Sequence, residues 1–298
     1  MLGFDKGHAF TEFRHIILQD GSSFAIHDGL REVFPGRFKA VKPAAVELHT
    51  TMDLLCDAPT TVVLTPDTAN EQAFLPEPAS LRASLLLADR GYIDVHYLRR
   101  VQDAGGFFLI RAKAGMNPQV VEAFREDGKR LRSLRHKPLK AISAKLPKRQ
   151  RVELVVQWQV DAQPLRLRLI ISWNRRTKEF CYLVTNLPAP RYPLDMICRA
   201  YKWRWQVEVC QTQPIKMTWC PLRLFRHTGR NLRGGFKREN EMDVHRFSRN
   251  DDFADHALGY GLTFFKRKLC QILAQQLAKG LGIVNDLLPR DALLPSWG

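Results

Sequence analysis

The chain is 298 residues long and 45% of these residues are hydrophobic, which suits one large or two ordinary domains and excludes global disorder. Its 46 Lys and Arg against 30 Asp and Glu give a net charge of +16, which predicts a polyanionic partner: nucleic acid first, an anionic membrane surface second. The six cysteines match no zinc module and no apolar run approaches the roughly 20 residues of a spanning helix, so we expect a soluble, cytoplasmic protein with reduced thiols and no membrane contact.

The first third of the chain has strand patterns, which then alternate with helical patterns. Each predicted strand is an apolar or β-branched run that stops at a polar residue or at proline. Asp94 is placed to cap the second predicted helix. This order predicts a mixed sheet with helices on its faces. The predicted strands are 13–20, 44–55, 60–67, 84–89 and 105–113, and the predicted helices are 69–83 and 94–104.

The next stretch is β-rich and has a basic entrance. Residues 129–151 hold ten Lys or Arg and no acid. Such an array neutralises DNA phosphates without reading base edges, although it could also be merely a solvated surface. Three strand patterns follow, at 151–160, 165–173 and 178–187. The residues that we assign to DNA binding are Lys137, Lys140, Lys145, Lys148 and Arg149.

A helical pattern runs from 193 to 210, and Pro193 suits its first turn. Tyr201, Arg204 and Glu208 stand at i, i+3 and i+7, which places all three on one face of that helix. Residues 211–255 show no hydrophobic period, and a second amphipathic helix is predicted at 258–279.

Three acids stand out along this chain. Asp20 is expected to end the first strand and Asp89 the fourth, while Glu208 lies on the helix. Clustered carboxylates repel one another unless a cation lies among them, and hard oxygen ligands favour Mg²⁺ or Mn²⁺. Two such ions can activate water and stabilise the leaving oxygen in phosphodiester cleavage. A strand-end Asp is also ordinary turn chemistry, and Arg204 with Glu208 is a common i, i+4 ion pair.

Several stretches together resemble bacterial insertion-sequence transposases of the DDE type, in the branch with a Tyr-Arg-Glu-Lys signature helix. They are LQDGSSFAIHDGL with PAAVELHTTMDLL, then LLLADRGYID, and finally YKWRWQVE. The resemblance implies an α/β, ribonuclease H-like mixed sheet flanked by helices, with a β-rich insertion before the helix that carries the third acid. It implies a first core part at 1–113, the basic insertion at 114–190, the core helix at 191–210 and a divergent C-terminal region at 211–298.

The resemblance also implies residue roles. Asp20, Asp89 and Glu208 would be the catalytic acids and would hold two Mg²⁺ or Mn²⁺ ions. Tyr201 and Arg204 would contact the DNA backbone near the cut.

Two further pairs follow from the resemblance. Arg111 and Lys113 lie where this family binds phosphates, although bases at a strand end are commonly solvated edge residues. Trp158 and Trp173 lie in the insertion, where relatives hold a displaced base with an aromatic side chain. The simpler interpretation, which we prefer from sequence, is that both tryptophans fill the insertion's own core.

The chain departs from the family pattern after its third acid. The signature Lys is replaced by Ile215, with Lys216 one residue late, and Pro214 cannot continue a helix. Only nineteen residues precede Asp20. We interpret the sequence as a truncated, degenerate copy in which 211–255 is either a frameshift product or a branch-specific loop.

The function that this resemblance implies is a DNA transposase catalytic domain. It would hydrolyse phosphodiesters at insertion-sequence ends and transfer the strand to target DNA, as a homodimer on DNA in the bacterial nucleoid. One alternative is a catalytically inactive DNA-binding remnant. Another is a nuclease of similar fold that performs no strand transfer.

Overall fold

The computed structural model describes residues 10–56 and 58–207. Glu208, the segment 211–255 and the predicted helix at 258–279 lie outside the described residues, so the expectations for them stay predictions.

Nine strands form one mixed sheet in the order β3-β2-β1-β4-β5-β9-β8-β7-β6. Strand β1 pairs antiparallel with β2 and parallel with β4, and β4 pairs parallel with β5. The expected mixed α/β sheet, with a ribonuclease H-like order in its first five strands, is therefore confirmed. The strands are β1 Ile16–Ala25, β2 Ala45–Asp53, β3 Ala58–Pro66, β4 Leu85–Ala88, β5 Phe107–Ala112, β6 Gln119–Arg125, β7 Val152–Val160, β8 Gln163–Asn174 and β9 Glu179–Thr185.

In the described part of the chain, three α-helices accompany the sheet: α1 Val95–Asp103, α2 Leu139–Ile142 and α3 Leu194–Tyr201. Asp94 caps α1 as predicted, because its carboxylate accepts a hydrogen bond from the backbone N–H of His96 at 2.9 Å. Within the described ranges, no helix is both long and apolar enough to cross a lipid bilayer.

Strand β4 is buried on both faces, which explains its unbroken apolar sequence. Leu86 and Ala88 belong to the core cluster that packs against α1, whereas Leu85 and Leu87 belong to the cluster that packs against α3. Alternate residues of one strand therefore hold helices on opposite faces of the sheet.

Three local predictions were wrong. Asp20 does not end its strand, since β1 continues to Ala25 and Asp20 pairs with Thr50 of β2. The predicted helix at 69–83 is instead two 3₁₀ turns, because prolines 76 and 78 prevent a continuous helix. The edge strand β6 was not among the predicted strands.

The basic segment 129–151 lies along the sheet as an amphipathic strap. Its apolar side chains are buried in the α1-side core, and the five basic residues assigned to DNA are all exposed. The strands after β5 continue the same sheet, because β9 pairs antiparallel with β5. The division at residues 113 and 190 stays a prediction. The buried side chains of the strap are Leu134, Leu139, Ile142 and Leu146.

Candidate active site

A cavity of about 820 Å³ opens beside the ends of β4 and β5, and both Asp20 and Asp89 line it. The parallel register of β1 and β4 explains this convergence. Gln19 is paired with Ala88, so each acid is the next residue on one of two neighbouring strands. Because paired strands lie about 4.7–4.9 Å apart, the two carboxylates belong to one site.

The helical segment that follows Pro193 contacts both acids. Tyr201 donates a hydrogen bond from its hydroxyl to Asp89 Oδ1 at 3.2 Å. Arg204 Nη1 lies 3.0 Å from Asp20 Oδ1, and this ion pair is buried. Because Tyr201 and Arg204 are three residues apart, they lie on one side of the segment and together contact both acids.

The packing of α3 fixes these contacts. Ile197 and Ala200 are fully buried in the core cluster that contains Leu85 and Leu87 of β4. Val207, at the last described position, is buried in the same cluster. The apolar side of the segment thus holds its polar side over the two acids.

Tyr201 remains a neutral donor at physiological pH. Burial raises the pKa of its hydroxyl well above the usual range, and the negative charge of Asp89 raises it further. Arg111 Nη1 lies 4.0 Å from Asp89 Oδ1, so a cation also faces that carboxylate.

The cavity combines acids with a cationic rim. Arg111 and Lys113, the two predicted phosphate contacts, both line it. This distribution of charge could hold the phosphates of a polyanion above the two carboxylates. Three further basic side chains line the cavity, and the sequence had given no reason to select them: Arg37, Arg90 and Lys178.

One wall of the cavity is aromatic, and Trp173 belongs to it whereas Trp158 does not. Trp173 lines the cavity and packs edge-to-face on Phe180, with ring centroids 4.8 Å apart. Trp158 instead packs on the α1-side core, which the insertion shares with β4 and β5, whereas Trp173 is not part of that core, so the preferred interpretation that both fill the insertion's own core was wrong for Trp173. Lys148 Nζ lies 4.5 Å from the Trp173 ring centroid, which joins the basic strap to this wall.

The two acids in the cavity offer oxygen ligands, which are the type that a hard divalent cation binds. Asp20 and Asp89 supply carboxylate oxygens, which Mg²⁺ and Mn²⁺ prefer. Within residues 10–56 and 58–207, however, no three His, Cys, Asp or Glu side chains form a group that could hold an ion. The predicted third ligand, Glu208, lies outside those ranges and directly follows Val207.

Sequence reasoning missed a network centred on Arg37. Its backbone N–H donates to Asp67 Oδ2 at 3.0 Å, and its guanidinium lies 3.2 Å from Glu47 Oε2 and 3.5 Å from Glu71 Oε1. A Cβ at Gly21 would lie 2.7 Å from Glu47 Oε1, so the glycine after Asp20 gives this network room. Its members come from distant parts of the chain, which a local pattern does not reveal.

Glu47 provides a prediction on pH. Burial, followed by repulsion from Glu71 and Asp67, raises its pKa to about 7, and Arg37 only partly opposes this. The folded protein therefore keeps the proton while the unfolded chain loses it near pH 4.5, so stability falls between those values. Glu47→Gln does not titrate. Its free energy of unfolding should gain on the order of 1–3 kcal/mol over that of the unchanged chain between pH 5 and pH 8.

Urea unfolding at several pH values measures this gain. Glu32→Gln, at an exposed position, should show no gain in the free energy of unfolding. A Glu47→Gln difference that stays constant from pH 5 to pH 8 would contradict the buried-carboxyl interpretation.

The chain is similar to known proteins in sequence and in structure. The chain is 21% identical over 233 residues to the transposase for insertion sequence element IS1151 of Clostridium perfringens. That match covers 67% of this chain and 49% of the relative, so the chain spans about half the length of that relative. Among solved structures, a piggyBac transposase synaptic complex with hairpin DNA aligns with a TM-score of 0.40 and 8% identity, covering 94% of this chain and 56% of that one.

A family profile described as "Transposase DDE domain" matches residues 12–210, about two thirds of the chain. The matched range contains Asp20, Asp89 and the Tyr-Arg segment that contacts them. The chain belongs to the transposase DDE domain family.

Proposed function

We propose that this chain is the catalytic core of a DNA transposase that cleaves phosphodiester bonds at insertion-sequence ends and transfers the strand. One observation carries the proposal: Asp20 and Asp89 lie side by side on neighbouring strands, and each is contacted by a residue of one helical segment. Its partners would be the element's ends and target DNA, on which the chain would act as a homodimer.

The proposed reaction consists of two displacements at phosphorus. In the first, water attacks, the bond from phosphorus to the 3′ oxygen breaks, and a 3′-hydroxyl is released. In the second, that hydroxyl attacks the phosphorus of a target phosphodiester. The bond from that phosphorus to the target's own 3′ oxygen breaks, and a 3′-hydroxyl is released on the target strand. Two divalent ions at Asp20, Asp89 and Glu208 would activate the nucleophile and stabilise the leaving oxygen.

The chain's own residues would position the acids and the DNA. Tyr201, neutral at working pH, would hold the Asp89 carboxylate in one orientation. Arg204 would do the same for Asp20 and would balance its charge in the buried site. Arg111 and Lys113 on the rim would bind phosphates beside the reacting bond.

The aromatic wall and the strap would guide DNA to the cavity. Trp173 offers a ring face for a displaced base, and the contact from Lys148 places the basic strap beside it. Duplex DNA lying along the strap would therefore arrive at the two acids. This path would read phosphates and not sequence, because the strap's exposed groups are Lys and Arg.

The strap can be tested by its salt dependence. Changing Lys137, Lys140, Lys145, Lys148 and Arg149 to Ala should weaken binding to duplex DNA. The slope of log affinity against log salt concentration should also become less negative by up to about 4.5, since each lost phosphate contact removes about 0.9 from its magnitude. Fluorescence anisotropy from low to moderate salt measures the slope.

A matched control removes the same charge elsewhere. The variant with Arg14, Arg31, Arg82, Arg100 and Arg166 changed to Ala loses five exposed cations outside the strap. This control variant should keep most of the salt dependence of DNA affinity. Equal slopes in the two variants would show that the strap is a solvated surface and that DNA binds elsewhere.

A plasmid assay tests the proposed chemistry. The purified chain should convert supercoiled DNA slowly to the nicked form in Mg²⁺ or Mn²⁺, and it should not do so in EDTA. We expect nicking rather than complete transposition. Tight DNA binding with no ion-dependent nicking would overturn the catalytic proposal in favour of an inactive DNA-binding remnant.

A further inference from the structure

The loop that joins β1 to β2, residues 26–44, exposes apolar side chains beside the cavity. Phe38 is 65% exposed and Val41 is 80% exposed, and Val33 of the same loop is 41% exposed. Among the described residues, these are three of the four large hydrophobic side chains that are exposed. Single exposed apolar residues are ordinary, but a group on one loop marks a binding surface.

The loop is anchored at its base. Phe34 is buried against Val46 of β2, and the Gly36 N–H donates to the Pro43 carbonyl at 2.9 Å. A Cβ on Gly36 would overlap the Lys42 carbonyl oxygen, so glycine is required for this close approach. The hydrogen bonds of Arg37 to Asp67 tie the loop to the end of β3.

The exposed tip is itself a compact turn. Val41 and Lys42 donate their backbone N–H groups to the Phe38 carbonyl at 3.0 and 2.7 Å. The tip therefore presents the Phe38 ring on a fixed support, and Lys39 and Lys42 follow it in sequence. A ring held in this way loses little conformational freedom on binding.

Charge and position identify the partner. The loop from 26 to 44 holds four Lys or Arg against two acids, Asp28 and Glu32, and its exposed tip carries Lys39 and Lys42, which suits a polyanion. Arg37 lines the cavity that holds Asp20 and Asp89, and Phe38 is the next residue along the chain. A contact between two such tips is disfavoured, because it would bring like-charged lysines together.

We propose that the tip of this loop is a DNA wedge: Phe38 inserts between stacked bases next to the cleavage position, while Lys39 and Lys42 bind the flanking phosphates. Apolar wedges open base steps and bend the duplex in many DNA-binding proteins. Opening a step beside the cavity would bring the scissile phosphate towards Asp20 and Asp89. This inference rests on the proposed function, because DNA is its ligand.

The experiment uses the full chain and a short duplex that carries 2-aminopurine beside a nick, without divalent ions. The fluorescence of 2-aminopurine rises when it loses its stacking partner, whereas anisotropy of an end label reports affinity. The unchanged chain should raise the fluorescence on binding. Phe38→Ala should lose most of that rise and bind this duplex roughly tenfold more weakly, whereas Phe38→Trp should keep both properties.

A control separates stacking from charge and from folding. Lys39→Ala with Lys42→Ala should weaken binding and lower its salt dependence, but it should leave the fluorescence of the saturated complex unchanged. Phe38 is exposed, so its replacement leaves the core intact, and circular dichroism checks this.

Two outcomes would overturn the wedge. One is an equal fluorescence rise with Phe38→Ala and with the unchanged chain. The other is a shift in sedimentation from dimer to monomer on Phe38→Ala with unchanged fluorescence, which would assign the tip to contact between copies. Failure of the unchanged chain to bind DNA would instead sink the proposed function itself, whereas either of these two outcomes in a chain that binds and nicks DNA would sink the wedge alone.

Discussion

Replacing Asp20 or Asp89 by asparagine should abolish ion-dependent nicking of DNA, with a loss on the order of 10³-fold or more. Each change keeps the shape of the side chain and removes one anionic ligand from a site that both carboxylates share. Because the two carboxylates would hold the same ions, the double variant should lose no more activity than either single variant. The rate at which supercoiled plasmid disappears in Mg²⁺ and in Mn²⁺ measures the effect.

Two controls make this result specific. Asp127→Asn removes an exposed carboxylate outside the cavity and should nick at the unchanged rate. Each site variant should still bind duplex DNA, since the strap that we propose binds phosphates is intact. Glu208→Ala extends the test to the third predicted acid. Nicking that survives in all three site variants would mean a contaminating nuclease or another active site.

Asp20→Asn has a second consequence that must be measured separately. It leaves the buried guanidinium of Arg204 without the carboxylate that lies 3.0 Å away. Removing one carboxylate from a buried ion pair is destabilising, so part of any loss could reflect unfolding. Urea unfolding of the variant distinguishes the two causes, because a folded but inactive Asp20→Asn supports the catalytic role.

Local sequence patterns predicted the parts of this site that local chemistry determines. Asp94 caps α1 because a capping carboxylate needs only the next backbone N–H groups. Asp89 follows a strand that is buried on both faces, and its unbroken apolar run predicted both the strand and its end. Asp20 was harder, since the residues after it alternate only weakly and do not reveal that β1 continues to Ala25.

The remaining features depend on how distant segments meet. The register of Gln19 with Ala88 places the two acids together, and no pattern within either strand specifies that pairing. Arg37 reaches Glu71 across 34 residues. Trp158 and Trp173 have similar strand contexts, so only the assembled sheet shows that one meets the core and the other the cavity.

The position of α3 depends on a buried arginine of β8. Arg168 Nη1 donates to the carbonyl oxygens of Leu187 at 2.7 Å and Tyr192 at 3.0 Å, and its Nε donates to Glu153 at 2.7 Å. The two carbonyls belong to the segment that leads from β9 into α3. Arg168 therefore fixes where the helix begins, and through it where Tyr201 meets Asp89.

Arg168→Met should lower the free energy of unfolding by about 3 kcal/mol, because it leaves Glu153 and two carbonyl oxygens without their donor. It should also slow nicking in the fraction that remains folded, since the start of α3 would no longer be held. Urea unfolding and the plasmid assay measure the two effects. Arg166→Met is the matched control, because Arg166 lies two residues away on the same strand, is exposed and donates a hydrogen bond from its Nε to the exposed side chain of Gln157. That control should change stability by no more than about 0.5 kcal/mol. A loss with Arg168→Met as small as that of the control would show that the contacts of Arg168 are not needed and that the core packing of α3 suffices to place the helix.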